Sequence, residues 1–392
     1  MSKDKDKEIN IHINNRRDAY AYWLDNIYGL GNKTIRALLA ESGSAETIYR
    51  MPERELQFFM SEKQLFHYRE SIRTWNVEEA FRALQQKKIS FYHVQDERYP
   101  DKLREIPDAP FGIYVKGKLP EQNRISVAVI GARMCSEYGR YMARQCGMAL
   151  AREQVQVISG LASGIDGISQ KGALDAGGDT FSVLGCGVDI CYPENNRALY
   201  EKIPAQGGII SEYPLGMQPL ARNFPPRNRI ISGLADIVLV IEAKQKSGTL
   251  ITVDMALEQG REVLVLPGRV TDSLSAGCNR LIKQGAGIIL SCEDLLAEVD
   301  TFRSPFRKEE IVTGEQIGLS EYLTQKVENK LGKIIIQQMD FTPQSLNQIL
   351  EKIKALETEQ VFEISLILQQ LVELQIRGMI QQAGGYYSLC GR

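Results

Sequence analysis

"VAVIGARMCSEYG", Val127–Gly139, reads as a buried strand, a tight turn at Gly131-Ala132-Arg133, and a helix that begins near Ser136. An unbroken apolar run of this kind suits a strand covered on both faces. Six further runs repeat the pattern: "VQVISG" (155–160), "TFSVLG" (180–185), "GIISEY" (208–213), "DIVLVIEA" (236–243), "EVLVLPG" (262–268) and "GIILS" (287–291). Amphipathic segments such as "EYGRYMARQCGMALAREQ" lie between most of them. Strands and helices in alternation predict an α/β class, a doubly wound, mostly parallel, Rossmann-like sheet over residues 80–300. Ligands on such sheets bind beyond the carboxyl ends of the strands.

The flanks differ. Residues 1–17 form a mixed-charge stretch expected to be a disordered tail, and residues 18–79 show apolar positions at helical spacing. Within them "NIYGLGNKTIRALL", Asn26–Leu39, resembles one unit of a helix-hairpin-helix or SAM-like domain. Its glycine turn either offers backbone N–H groups to phosphate or only joins two helices. Residues 301–321 are expected to be a polar linker. Residues 322–392 show three helical patterns and a strand-turn-strand around Gly384 and Gly385, the order of a winged-helix-like domain. Its second and third helices carry acids and no basic run, which argues against reading a major groove.

The 392 residues carry a formal net charge of −2, so any polyanion site must be a local patch. No apolar run reaches the roughly 18 residues that span a bilayer. The N-terminus "MSKDKDKEIN" lacks the apolar core of a secretion signal. Seven cysteines with no Cys-x-x-Cys pair fit a reducing cytoplasm. The three histidines are His12, His67 and His93, and none falls between Arg124 and Asp300, where the glycine-rich loops lie. Histidine acid–base chemistry, a Ser-His-Asp triad and the commonest metal sites are thereby removed from that region. No catalytic residue, metal site or cofactor is predicted.

The loops carry other chemistry. The turn after the first strand places Arg133 where a dinucleotide fingerprint needs a second glycine, so a guanidinium projects over the helix N-terminus. In "ISGLASGIDGISQKGAL", Ser159, Gly160 and Gly164 keep the loop thin, Asp166 is expected to cap a helix, and Lys171 sits one turn in. In "VLGCGVDICYPENN", Gly185 and Gly187 allow close approach and Asp189 suits a turn. "ARNFPPRNRIISG", Ala221–Gly233, sets Arg227, Asn228 and Arg229 beside the stiff pair Pro225-Pro226, and Ser247, Gly248 and Thr249 open another helix. Together Gly131, Arg133, Ser159, Gly160, Gly164, Lys171, Arg227, Asn228, Arg229, Ser247, Gly248 and Thr249 predict a groove for several phosphates in a row.

Eight motifs in order resemble the DprA/Smf (DNA-processing protein A) family: "VAVIGAR…YG", "VISGLASGID", "GAL", "VLGCGVDICYPENN", "GGIISEYPLGMQPLARNFPPRNRIISGLAD", "VIEAKQKSGTLIT", "ALEQGREVLVLPG" and "SAGCNRLIKQGA". The resemblance runs from about Ala80 to Val299. It implies a single-stranded DNA-binding protein of natural transformation that protects incoming DNA and loads the RecA recombinase, without catalysis. It also implies phosphate contacts by Arg133, Arg227 and Arg229, and a homodimer through the Rossmann-like domain. Bases would stack on Phe224 or Tyr213. Ser163 stands where the family often has a basic residue, and Gln170 and Asn279 where it often has histidine.

Two rival functions remain open. A nucleotide phosphoribohydrolase shares this kind of sheet, but Thr252 of "KSGTLIT" stands where its catalytic glutamate would be, and a hydroxyl is no general base near neutral pH. An adaptor that chiefly recruits a recombinase would use the acidic terminal domain or the helix "TLITVDMALEQG".

Overall fold

The computed structural model describes residues 16–310, 327, 329–339, 344–354, 364–377, 379–383 and 386–389. The chain divides into two units, residues 1–304 and 305–392.

The first unit is built on nine strands: β1 (Ile89–His93), β2 (Gly112–Gly117), β3 (Ser126–Ile130), β4 (Gln156–Ser159), β5 (Thr180–Val183), β6 (Gly208–Ser211), β7 (Ile237–Val240), β8 (Glu262–Val265) and β9 (Gly287–Ile288). Their order is β1-β2-β6-β5-β4-β3-β7-β8-β9. From β6 to β9 every pairing is parallel. β3 to β7 are buried along their whole length, as their unbroken apolar runs require. All seven strands expected from the sequence are present. β1 and β2 were not expected; they extend the β6 edge antiparallel. β1 alternates buried and half-buried residues, a period-2 signal too short to stand out beside the long apolar runs.

Helices run from residue 16 to residue 86 ahead of β1, starting inside the expected tail; residues 1–15 lie outside the described set. The expected boundary at 79/80 is not a break between compact units. Trp23, Leu24, Leu38 and Leu65 share one apolar core with Phe91, Phe111, Tyr114 and Ile209 of the sheet edge, because the helices alone expose too large an apolar face. The expected linker is corrected as well. The helix Cys292–Glu310 runs through its first half, anchored by Leu295 and Val299 in the core under β3 and β7. Residues 311–321 are outside the described set.

The second unit has helices Lys330–Gln337, Leu346–Lys354 and Ile364–Ile376, with strands β10 (Gln344–Ser345), β11 (Ile380–Ala383) and β12 (Tyr386–Leu389). They form an antiparallel sheet in the order β10-β12-β11. Ile335, Ile336, Ile349, Leu371 and Leu374 make its core. Gly384 and Gly385 lie outside the described residues. Among the described residues no helix is long and apolar enough to cross a membrane.

One carboxyl couples the N-terminal helices to β2. Tyr114 Oη donates to Asp25 Oδ2 at 2.8 Å and accepts from Asn26 Nδ2 at 2.7 Å. Asp25 as a residue keeps some exposure, but its carboxyl is enclosed, and burial pushes its pKa up to about 7, with Glu212 adding repulsion. The folded pKa lies above the unfolded value, so this group's stabilising contribution is complete below pH ~4 and is lost as pH rises through about 7. Denaturation midpoints against pH will show this fall. Asp25→Asn, which keeps the acceptor for Tyr114, will flatten it and be more stable than the native chain at pH 8.

Candidate functional site

The chain lays β4, β5 and β6 on one side of β3, then crosses to lay β7, β8 and β9 on the other. The carboxyl ends of β3 and β7 therefore sit side by side, Ile130 pairing with Val240, at the point where a doubly wound sheet opens a crevice. A cleft of about 610 Å³ lies there.

The turn after β3 is fixed by the loop after β4. Gly164 has φ +81°, and a Cβ on it would collide with the carbonyl oxygens of Ala132 and Arg133. A Cβ on Gly131 would stand 2.7 Å from Ile165 Cγ1. The turn thus holds Arg133 at the cleft wall, exposed and without an ion-pair or hydrogen-bond partner among the described residues. Its Cζ lies 5.7 Å from the Phe224 ring centre, within cation–π range. The helix behind it (Glu137–Arg152) does not present an open N-terminus. Glu242, just past β7, accepts Ser136 N–H at 2.9 Å and the Ser136 hydroxyl, so a protein carboxylate already fills the anion position.

The loop after β4 is self-contained. Ser159 is buried and its hydroxyl donates to Val129 O at 2.7 Å, so it ties β4 to β3 and does not face a ligand. Gly160 N–H donates to Asp166 Oδ2 at 3.1 Å. Asp166 is consequently a loop brace; the helix N-cap is Gly164. Burial raises the Asp166 pKa, and Arg227 and the Gly160 N–H act against that shift. Lys171 is exposed on the helix Ile165–Asp175 and lines neither the cleft nor the small cavity beside it. Asp189 sits in the turn closed by Ile190 N–H to Gly187 O, and its carboxylate bridges to a distant loop by accepting Gly216 N–H at 3.0 Å.

The arginine segment divides its labour. Arg227 is 4% exposed, on the cleft floor, where its Nη1 donates to Gly160 O at 3.1 Å and to Val183 O. Burial lowers its pKa to about 10, which leaves it charged near neutrality. Arg229 is 7% exposed and outside the cleft. Its Nη1 and Nη2 each reach Glu212 at 2.6 Å, and its Nε donates to Asp108 O at 2.7 Å. The expectation that Arg229 waits for phosphate is corrected: its fork is already filled by a carboxylate. Asn228 is half-buried at the cleft wall and accepts from Arg227 Nε at 3.3 Å. Phe224 lies half-buried in the cleft, against Tyr192 at 5.4 Å between ring centres. A Cβ on Gly185 would stand 2.9 Å from that ring, so Gly185 makes room for Phe224 and not for a ligand. Tyr213 braces the loop by donating to Asn223 O at 3.2 Å and does not line the cleft.

Across the cleft the helix Gly248–Glu258 begins without a side-chain cap. Leu250 N–H is bonded to Ser247 O, and a Cβ on Gly248 would meet nothing within 4 Å, so the first N–H groups are approachable. Ser247 Oγ is buried without a hydrogen-bond partner among the described residues. Ser247, Gly248 and Thr249 all line the cleft, as does exposed Lys244. Sequence reasoning missed Lys244, Tyr192 and the capping role of Glu242. Tyr192 had one signal, an aromatic residue inside a glycine- and proline-bearing loop.

The family model for DNA recombination-mediator protein A matches residues 90–300. The chain belongs to that family. It is similar to the DNA processing protein DprA of Streptococcus pneumoniae, 41% identical over 228 residues, which is 58% of this chain and 80% of that protein. It is also similar to the protein Smf of Synechocystis, 37% identical over 321 residues, 77% of this chain and 80% of the relative. The X-ray structure of DprA from Streptococcus pneumoniae superposes with a TM-score of 0.64 at 35% identity, covering 71% of this chain and 97% of that one. The family match begins inside β1 and ends in the helix Cys292–Glu310, so it takes in every loop that forms the cleft.

The geometry separates two arginines that the sequence presents alike. Arg229→Ala strands the largely buried Glu212 carboxylate and will lower folding stability by about 3 kcal/mol. Arg133→Ala removes an unpaired exposed cation and will change stability by less than about 0.5 kcal/mol. Urea titration of both variants checks this.

Proposed function

We propose that the cleft between β3 and β7 holds the backbone of single-stranded DNA and that the chain acts as a recombination mediator without catalysis. The observation that carries the reading is Arg133, a guanidinium with no ion-pair or hydrogen-bond partner among the described residues, held over an aromatic ring and facing an uncapped helix N-terminus. Arg133 and Lys244 supply charge for phosphates, while Asn228, Ser247, Gly248 and Thr249 supply neutral donors. Phe224 and Tyr192 give bases a face to stack on, which suits binding without sequence preference. Arg227 contributes charge from the floor while it holds the loop after β4 to the end of β5. Arg229 positions the segment from outside the cleft.

Family membership supports a place in DNA recombination. We assign the finer role accordingly: the protein shields incoming strands in the cytoplasm during natural transformation and passes them to RecA recombinase. A homodimer through the sheet domain would extend the groove across two subunits. The helix–strand–helix–helix–strand–strand order among the described residues from 330 onward suits the winged-helix-like region, 322–392. Its helix Ile364–Ile376 has no basic residue, so we assign it to protein contact and not to DNA. Asp166 at the cleft and Glu242 behind it each accept a backbone N–H, and Thr252 is buried in the helix Gly248–Glu258. These residues lack the general base that a phosphoribohydrolase needs.

Fluorescence anisotropy with labelled single strands, over a salt series and with duplex and mononucleotide competitors, tests the reading. Arg133→Ala will weaken binding about tenfold. It will also reduce the slope of log affinity against log salt by about 0.7, one phosphate contact on a single strand. Phe224→Ala will weaken binding by about fivefold or more with the slope unchanged. Unchanged affinity in both variants, or displacement of the strand by a mononucleotide, would overturn the assignment.

A further inference from the structure

Two thiols meet far from each other in sequence and outside the cleft. Cys146 lies in the helix Glu137–Arg152, and Cys292 is the first residue of the helix Cys292–Glu310. Their Sγ atoms are 3.8 Å apart. A disulfide needs about 2.05 Å between sulfurs, a closure within reach of side-chain torsions when the helices are already in contact. They are in contact: Cys146 shares one apolar core with Leu295 and Val299, against which Cys292 also packs.

The two sulfurs are not equivalent. Cys146 is fully buried, whereas Cys292 keeps partial exposure. Either thiol can donate to the other; the contact lowers the Cys292 pKa and, with burial, raises that of Cys146. The position of Cys292 at a helix N-terminus also favours its thiolate, while Glu293 opposes it. One reactive, reachable thiolate beside one sheltered thiol is the arrangement of an attacking and a resolving cysteine. The remaining thiols described are Cys135, Cys186, Cys191 and Cys278; Cys186, Cys191 and Cys278 each face a backbone carbonyl, on Ile190, Pro193 and Ile241.

We propose that Cys292 and Cys146 form a peroxide-oxidisable dithiol that reversibly staples the helix Cys292–Glu310 to the helix Glu137–Arg152. The Cys292 thiolate attacks a hydroperoxide; the O–O bond breaks, the peroxide is reduced, and Cys292 becomes a sulfenic acid. Cys146 sulfur then attacks Cys292 sulfur. The S–O bond breaks, the S–S bond forms, and the Cys146 proton leaves with the hydroxyl as water. With hydrogen peroxide the sum is two thiols and one peroxide to one disulfide and two waters. A thiol reductant restores the dithiol.

The test treats the reduced full-length protein with hydrogen peroxide and maps it by peptide mass spectrometry. A Cys146–Cys292 linked peptide is expected, removed by dithiothreitol, together with a higher thermal midpoint in the linked form. Cys292→Ser will abolish the link. Cys146→Ser will leave Cys292 as a sulfenic acid that dimedone traps, and Cys146→Ala gives the same readout should the buried hydroxyl disturb folding. Oxidation of Cys135 or Cys191 without any Cys146–Cys292 link would overturn the proposal. So would the absence of dimedone adduct at Cys292 in both folded Cys146 variants.

Discussion

Everything at the cleft follows from the position of β3 between β4 and β7. Because the chain leaves β3 on one side and returns on the other, two loop sets diverge at its carboxyl end and leave a gap between them. Gly131, Gly164 and Glu242 make that gap rigid. Gly164 lets the loops after β3 and β4 touch backbone to backbone, Gly131 admits the Ile165 side chain, and Glu242 fastens the helix behind them. Arg133 is fixed by its neighbours while its guanidinium has no ion-pair or hydrogen-bond partner among the described residues.

The structure uses charge economically. A chain with net charge −2 gathers three arginines near this gap, yet two of them serve the fold. Arg229 is paired with Glu212, and Arg227 is bound by the carbonyl oxygens of Gly160 in the loop after β4 and of Val183 at the end of β5. Burying a guanidinium is tolerable only with such partners. They place Phe224, the residue three before Arg227 in the same helix, so the buried arginines prepare the surface that Arg133 and Lys244 present.

The sheet was legible because its central strands are buried on both faces and announce themselves as unbroken apolar runs. β1 escaped because an edge strand needs only a short alternating pattern, and β2, buried along its first four residues, is a short run that its antiparallel partners β1 and β6 complete. At the site, the glycine loops and Arg133 were readable, since a guanidinium at a strand-to-helix turn has little structural use. The roles of Ser159, Gly185 and Arg229 were not readable. Each depends on a partner distant in sequence, Val129 O, the Phe224 ring and Glu212 respectively, and spacing along the chain carries no trace of those meetings. Lys171 had the right charge and the right helix but sits off the cleft.

The most direct test of the central claim is photo-crosslinking of single strands carrying 5-iodouracil to the full-length protein, with the adducts located by mass spectrometry. Adducts on Phe224 or Tyr192, lost when Arg133 is replaced by alanine, are the result this account predicts. Adducts that avoid the cleft and persist without Arg133 would contradict it.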